Sequence, residues 1–399
     1  MGARFVAAGS SIQNSHKRAI LSLYVPSLFF GVPGHAAFLL LPLCIIEIGG
    51  SPSAAAAVIG FKGLGMMLFD IPGGKIAGKI GNKLTMQLAA MLVGLTFLAY
   101  SFCDSVILFW IVAFIHGCGS STFLVGRMSF LASNYPVNQR GRIIAMIAGS
   151  LRLTALLGPL VGGMLVEIID FRNTFLLSSA CFFIGVLCMY RSRVMENVGE
   201  VGIRSDGTLD ILRDYRKVFM TAGVAAVVFM LMRAARTVLI PIIGENYNLD
   251  PSTIGFIVSV SALVDVLLFY PAGMAMDKYG RRFTAVPSSI LFTIGLLGMA
   301  TATSFLPLLF WSILLGIANG LSTGIVMTLG TDHAPIGRRG EFLGVWRLIT
   351  DTGSTLGPLV VSGLLVFWPL SIAALSIGMF CGIGTFLIYS NVDETVKDS

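Results

Sequence analysis

Apolar residues in this chain come in runs too long to be one face of a soluble helix or strand. Twelve stretches, 20–46, 54–74, 84–103, 106–131, 142–167, 171–190, 217–244, 253–274, 283–302, 305–331, 342–366 and 368–390, approach or exceed the ~20 apolar residues with which an α-helix crosses a bilayer. Short polar or Gly- and Pro-bearing connections separate them. The pattern predicts an all-α membrane protein with twelve transmembrane helices.

A second regularity lies over the first. Pro72, Gly74, Lys79 and Gly81 recur 199 positions on as Pro271, Gly273, Lys278 and Gly280. The same offset links Pro42 with Pro241, Pro52 with Pro251, Gly117 with Gly316, Arg140–Gly141 with Arg339–Gly340, and Gly158–Pro159 with Gly357–Pro358. The chain therefore reads as two pseudo-symmetric six-helix bundles, 1–190 and 217–399, joined by a polar linker over 191–216. Leu209, Leu212 and Phe219 are placed to lie along the membrane surface.

Composition narrows the class. Residues are 55% hydrophobic and 12% charged, with a mean hydropathy of +0.87, against roughly 25% charged in a soluble domain. The net charge of +7 raises the question of a nucleic-acid partner, but the position of the cations answers it. Of 27 Lys and Arg, 20 fall in the termini, the even-to-odd loops and the linker, six lie inside spans, and Arg172 alone faces the other side. The positive-inside rule puts both termini in the cytoplasm, with a plasma (inner) membrane as the expected location. Met1 to Arg18 is too polar for a secretory signal, and Val6 stands where a myristoylation site wants Ser or Thr.

Enzymatic chemistry finds no foothold. The six cysteines sit in apolar runs without metal-ligand spacing, and no Walker-type loop, zinc spacing or nucleophile elbow occurs. The expectation is a non-enzymatic protein without cofactor or metal, driven by a gradient rather than by ATP. Its partners are a small-molecule substrate, protons and the lipid bilayer, with no nucleic acid and no obligate protein partner.

Gly273, Asp277, Gly280, Arg281 and Arg282 spell Gly-x-x-x-Asp-x-x-Gly-Arg-Arg, and Gly158, Pro159, Gly162 and Gly163 spell Gly-Pro-x-x-Gly-Gly in the fifth span. At these residues the chain resembles the major facilitator superfamily, and the second motif is similar to that of its antiporter branch. Gly78 occupies the place of the motif's Asp in the first copy, and Ala113 stands where the family carries an arginine in helix 4. The resemblance implies that helix 2 meets helix 11 and helix 5 meets helix 8 across the halves, that helix 7 lines a central cavity with helices 1, 4 and 10, and that Asp277 acts as a loop latch.

A charge inside a bilayer costs roughly 2.5–3.5 kcal/mol on insertion scales, so it faces a cavity or a partner. Depth along the spans, combined with those helix neighbours, pairs Arg152 with Asp265, Asp70 with Arg347, and Lys62 with Asp351 as coupling or gating ion pairs. Pairs that rearrange during transport, static pairs and cavity-facing ligands all fit. Asp265 is the favoured coupling carboxylate. Arg233 and Arg236, without an evident carboxylate for both, suit a carboxylate or phosphate on the substrate, or else one bonds to backbone carbonyls or to Asn319 while the other turns to the outer interface; His35, His116 and Asn319 mark polarity in the cavity. The expected function is a secondary active transporter working by alternating access, a proton-coupled exporter of small organic compounds. The alternatives are an organic-anion importer or exporter, and a non-transporting sensor or lipid-handling protein on the same fold.

Overall fold

The computed structural model describes residues 20–135, 137–191, 208–335 and 337–391, which are helical almost throughout and contain no strand among the described residues. The first half holds α1 (Val25–Glu47), α2 (Pro52–Ile80), α3 (Asn82–Tyr100), α4 (Val106–Asn134), α5 (137–169) and α6 (171–191). The second holds α7 (Val224–Asn246), α8 (Pro251–Tyr279), α9 (Arg281–Gly298), α10 (Phe305–His333), α11 (Arg339–Phe367) and α12 (Leu370–Asn391).

Two of these assignments carry a physical point. Helix follows helix without a gap over the 55 residues of Val137–Arg191, yet a straight helix of that length would reach about 80 Å, well over twice a ~30 Å hydrocarbon core. The chain reverses at Asp170, φ 68°, whose carboxylate accepts from the Asn173 backbone N–H at 2.8 Å and so caps α6. The eleven described helices long and apolar enough to cross a membrane are therefore twelve crossings. In α10 the helix breaks between Ser322 and Ile325 at Gly324, φ 95°, a conformation that a side chain would strain.

Equivalent helices pack alike in the two halves. α1 lies on α5 as α7 lies on α11, α2 on α4 as α8 on α10, and α3 on α6 as α9 on α12. Close approach rests on small residues: a Cβ at Gly65 would strike the Phe114 carbonyl, and one at Gly117 the Lys62 carbonyl, so α2 and α4 meet backbone to backbone. Gly81 and Gly280, at φ 92° and 96°, turn the chain between α2 and α3 and between α8 and α9.

The linker helix Thr208–Asp214 docks on the second half rather than lying free. Ile211 is fully buried and Phe219 stacks on Phe342 at 5.1 Å, so of the residues placed on the membrane surface only Leu212 is exposed. The Leu209 side chain lies outside the described residues. Burial wins because Phe342 at the start of α11 offers an aromatic face.

The halves touch chiefly along two seams, α2 with α11 and α5 with α8, with a smaller contact of α7 on α1 and α2. Away from the linker, contact is tight: Ser53 donates to the Ser362 carbonyl at 2.9 Å, Ser259 to the Leu156 carbonyl at 2.7 Å, and a Cβ at Gly163 would strike the Pro251 carbonyl. Toward the linker, Gly149 of α5, Gly273 of α8 and Gly344 of α11 have open space beside them. Each lies one turn nearer the linker than a seam residue on the same helix face, Arg152, Phe269 or Arg347. The bundle is closed at its far end and parted at its linker end.

Candidate functional site: charged seams between the halves

On the α2–α11 seam, Arg347 lies 3.5 Å from Asp70 of the first half and 3.4 Å from Asp351, one turn along its own helix. Ser121 of α4 donates to Asp70 Oδ1, the same oxygen that faces Arg347. Two carboxylates thus share one guanidinium where the halves begin to part. The side chain of Asp70 is 14% exposed and that of Arg347 is 40% exposed, so the cluster is only partly enclosed.

Lys62, placed by depth opposite Asp351, does not reach it. It is buried with its ammonium 4.1 Å from the centre of the Phe38 ring, a cation–π contact worth up to about 2 kcal/mol when dry. Asp351 is taken instead by Arg347, whose fork spans the one helical turn between them. Sequence spacing had to choose between partners on one helix and across two; the fork serves both.

The second seam corrects the Arg152–Asp265 pairing. The Arg152 guanidinium sits 3.5 Å over the ring of Phe269, one turn from Asp265. Asp265 turns to α10, where the Asn319 amide donates to it at 2.6 Å and the Thr323 hydroxyl stands 3.2 Å away. The reason is the close approach of α10 to α8 at Gly320, where a Cβ would come within 3.0 Å of the Asp265 carbonyl, so that Asn319 and Thr323 meet the carboxylate at short range. Arg152 remains within electrostatic reach of Asp265.

Asn319 is the hub of this second cluster. Its backbone carbonyl accepts from the Ser322 hydroxyl at 2.9 Å, and that hydroxyl accepts from Arg233 at 2.8 Å, so Asn319 meets the Arg233 side through its backbone and Asp265 through its side-chain amide. Arg236, one turn along α7, donates to the Leu315 carbonyl at 3.2 Å. The Arg233 Nε is buried without a hydrogen-bond partner.

His116 proves not to be a cavity residue. It is 1% exposed, packed edge-on to Phe97 and beside Tyr100 in the aromatic core of the first half, and it bonds to Thr96 at 3.2 Å. The Thr96 hydroxyl proton goes to the Val93 carbonyl, which leaves the imidazole Nδ1–H as donor. His35 is half-buried on α1 and donates to the Gly31 carbonyl at 2.8 Å.

The helix-5 glycines are contact surfaces. A Cβ at Gly158 would come within 2.8 Å of the His35 Cβ, and one at Gly162 within 2.8 Å of the Ala36 Cβ, both on α1. Gly163 and Pro159 face α8 of the other half at Pro251 and Gly255. In the α8–α9 loop, Arg281 joins Asp277 at 3.1 Å to Asp332 at 3.0 Å, and Arg282 donates to the Tyr389 carbonyl at 2.9 Å. Asp277 is exposed, with its cation supplied from its own half.

Sequence reading passed over Ser121, Phe269, Ser322 and Thr323, because neutral residues in apolar runs carry no flag. The run Asn319-Gly-Leu-Ser-Thr-Gly324 did hold a signal: two glycines bracketing hydroxyl residues inside a span. An apolar cavity of about 250 Å³ between α7, α11 and α12, walled by Leu231, Trp368 and Phe380, contains none of these charges. The polar groups converge elsewhere, between the halves.

Twelve crossings in two equivalent halves, with charged clusters on the seams, define a membrane transporter built from repeated bundles. The chain belongs to the Major Facilitator Superfamily, whose family model matches residues 27–232 and again 221–398. It is a multi-pass integral membrane transporter of that superfamily. It is 22% identical over 78% of its length to an MFS-type transporter of Methanocaldococcus jannaschii, covering 81% of that protein, and 22% identical to the multidrug resistance protein MdtH of Klebsiella pneumoniae (strain 342), at 80% of each chain. Among solved structures, the nucleoside transporter NupG superposes with a TM-score of 0.76 at 12% identity, covering 94% of this chain and 98% of that one. A POT family transporter in complex with a thioalcohol-conjugated peptide superposes at 0.76 with 15% identity, covering 94% and 96%. At such identities these neighbours speak for the fold.

Proposed function

We propose that the chain is a secondary active transporter that exports small organic compounds across the plasma (inner) membrane in exchange for protons, by alternating access, with its linker end and both termini in the cytoplasm. The observation that carries this reading is the Asp70–Arg347–Asp351 cluster. It joins the two halves at the level where they part, so rocking must break it, and its two carboxylates carry one negative charge more than its single guanidinium neutralises. A proton is the other counter-charge within reach of this partly enclosed site. The likeness to MdtH supports the export direction, and the loop asymmetry of cations supports the orientation.

Proteoliposomes with an imposed pH gradient test the coupling. Asp70→Asn and Asp351→Asn each leave a neutral Arg–carboxylate pair, so both variants should fold. Each is expected to exchange substrate across the membrane and to lose its accumulation. Full pH-driven accumulation in both variants overturns the coupling site. Orientation is tested separately, in a background without native cysteines: Asn248→Cys should react with an impermeant reagent outside intact cells, and Lys278→Cys should not.

A further inference from the structure

The clusters described above leave one imbalance. Around the Asp265 carboxylate stand three guanidinium groups: Arg152 from the first half, and Arg233 and Arg236 from α7 of the second. Asp265 lies close enough to attract all three, and Arg152 and Arg236 close enough to Arg233 to repel it. One carboxylate against three cations leaves an excess of two positive charges. The other polar groups here, Asn319, Ser322 and Thr323, add no negative charge.

The donors of this cluster are also under-used. A guanidinium has five N–H groups. Arg233 spends one on Ser322 and keeps its Nε buried without an acceptor; Arg236 spends one on a carbonyl; Arg152 has a ring and no hydrogen-bond acceptor. Asp265, the one available anion, is already satisfied by α10. An unpaired charge held inside a bilayer protein is costly, so a site with two surplus guanidinium charges and free planar donors is built for something that supplies the complement. On α1, the position related to Arg233 by the 199-residue offset is Gly34, which has open space beside it.

We infer that this tripod, Arg152 on one half with Arg233 and Arg236 on the other, binds a small organic dianion, a dicarboxylate or a phosphate monoester, as the transported cargo. Asp265 acts as a positioning residue that draws the arginines toward one point against their mutual repulsion and keeps the empty site from carrying all three charges unopposed. Because the tripod draws on both halves, a dianion bridges them when bound and must lose one set of contacts when they rock. The inference rests on the transporter reading and narrows its substrate class; it does not depend on the proton site at Asp70 and Asp351.

Thermal unfolding of the purified full chain in detergent tests it, with succinate, glutarate and phenyl phosphate each set against a neutral partner: succinamide, glutaramide and phenol. At least one dianion should raise Tm by roughly 2 °C or more at millimolar concentration while its neutral partner does not. Arg152→Gln, Arg233→Gln and Arg236→Gln should each weaken that dianion about tenfold or more, as loss of a charge-assisted bond implies. Arg233→Lys should retain part of the response, which separates lost charge from lost folding. No stabilisation of the wild type by any of the three dianions, an equal response to the neutral partners, or wild-type affinity in Arg152→Gln and Arg233→Gln overturns the inference. If proton-driven export of a neutral compound persists in those cases, the transporter reading stands without it. Dianion binding without response to a pH gradient leaves the tripod standing and removes the coupling scheme.

Discussion

The two seams between the halves occupy equivalent places in the duplicated chain and solve the same problem with different chemistry. On the α5–α8 seam Arg152 lies over Phe269; on the α2–α11 seam the residues 199 positions away are Asp351 and Asp70, two carboxylates bridged by Arg347. An arginine on an aromatic face tolerates separation of the halves at modest cost, because the guanidinium rehydrates readily and the ring is left with nothing unpaired. Two carboxylates around one guanidinium do not, since parting them strands charge. In the proposed transport cycle one seam serves as a hinge surface and the other as a charge switch.

Breaking the switch should cost most. Removing one partner of a fully buried pair costs about 3–5 kcal/mol; with Arg347 40% exposed, Arg347→Gln should cost roughly 2–3 kcal/mol. Unfolding in detergent measures it, and adding Asp70→Asn to the same chain should restore much of the loss. No rescue would mean that Arg347 stabilises by packing alone.

At the closed far end the seams differ again. Gly163 abuts the Pro251 backbone, while its counterpart Ser362 bonds to Ser53. A methyl against a carbonyl leaves only backbone movement as relief, so Gly163→Ala should disfavour far-end closure by roughly 1–3 kcal/mol. The variant should label more at far-end cysteines and less at linker-end ones. Ser53→Ala, losing one bond, should cost about 1 kcal/mol. Equal shifts in the two variants would erase the distinction between the seams.

Phe269→Leu sharpens the hinge reading. It keeps an apolar wall and removes the ring beneath Arg152, for an expected loss of about 0.5–2 kcal/mol in unfolding free energy and retained pH-driven accumulation. Loss of accumulation in this variant would make both seams switches.

The smallest effect lies in the loops. Arg281 pairs with Asp332 in the second half, and at the matching positions Asn82 donates to Ser133 at 3.4 Å. Installing the charges, Asn82→Arg with Ser133→Asp, should stabilise the first half by no more than about 1 kcal/mol, because partly exposed ion pairs are screened. A gain that survives high salt would point to packing instead.

What the residues determined by themselves follows from period and cost. Runs of twenty apolar residues have one economical structure in lipid, and a 199-residue repeat of Pro, Gly and Arg dictates two like halves. The same cost argument picked out charges that cluster: Asp70, Arg347 and Asp351 join the halves, Arg152 lies over Phe269 of the other half, and Arg233, Arg236 and Asp265 gather on α10 within the second half. Partners were another matter. Depth along a helix is one coordinate, and pairing needs the angle around the axis and the conformation of the neighbour. The close packing of α10 on α8 at Gly320 delivered Asn319 to Asp265, the rings of Phe38 and Phe269 received Lys62 and Arg152, and His116 turned into the aromatic core. Neutral amides, hydroxyls and rings compete for charges inside a membrane protein on nearly equal terms with opposite charges, and only the packed structure decides which of them is near enough to win.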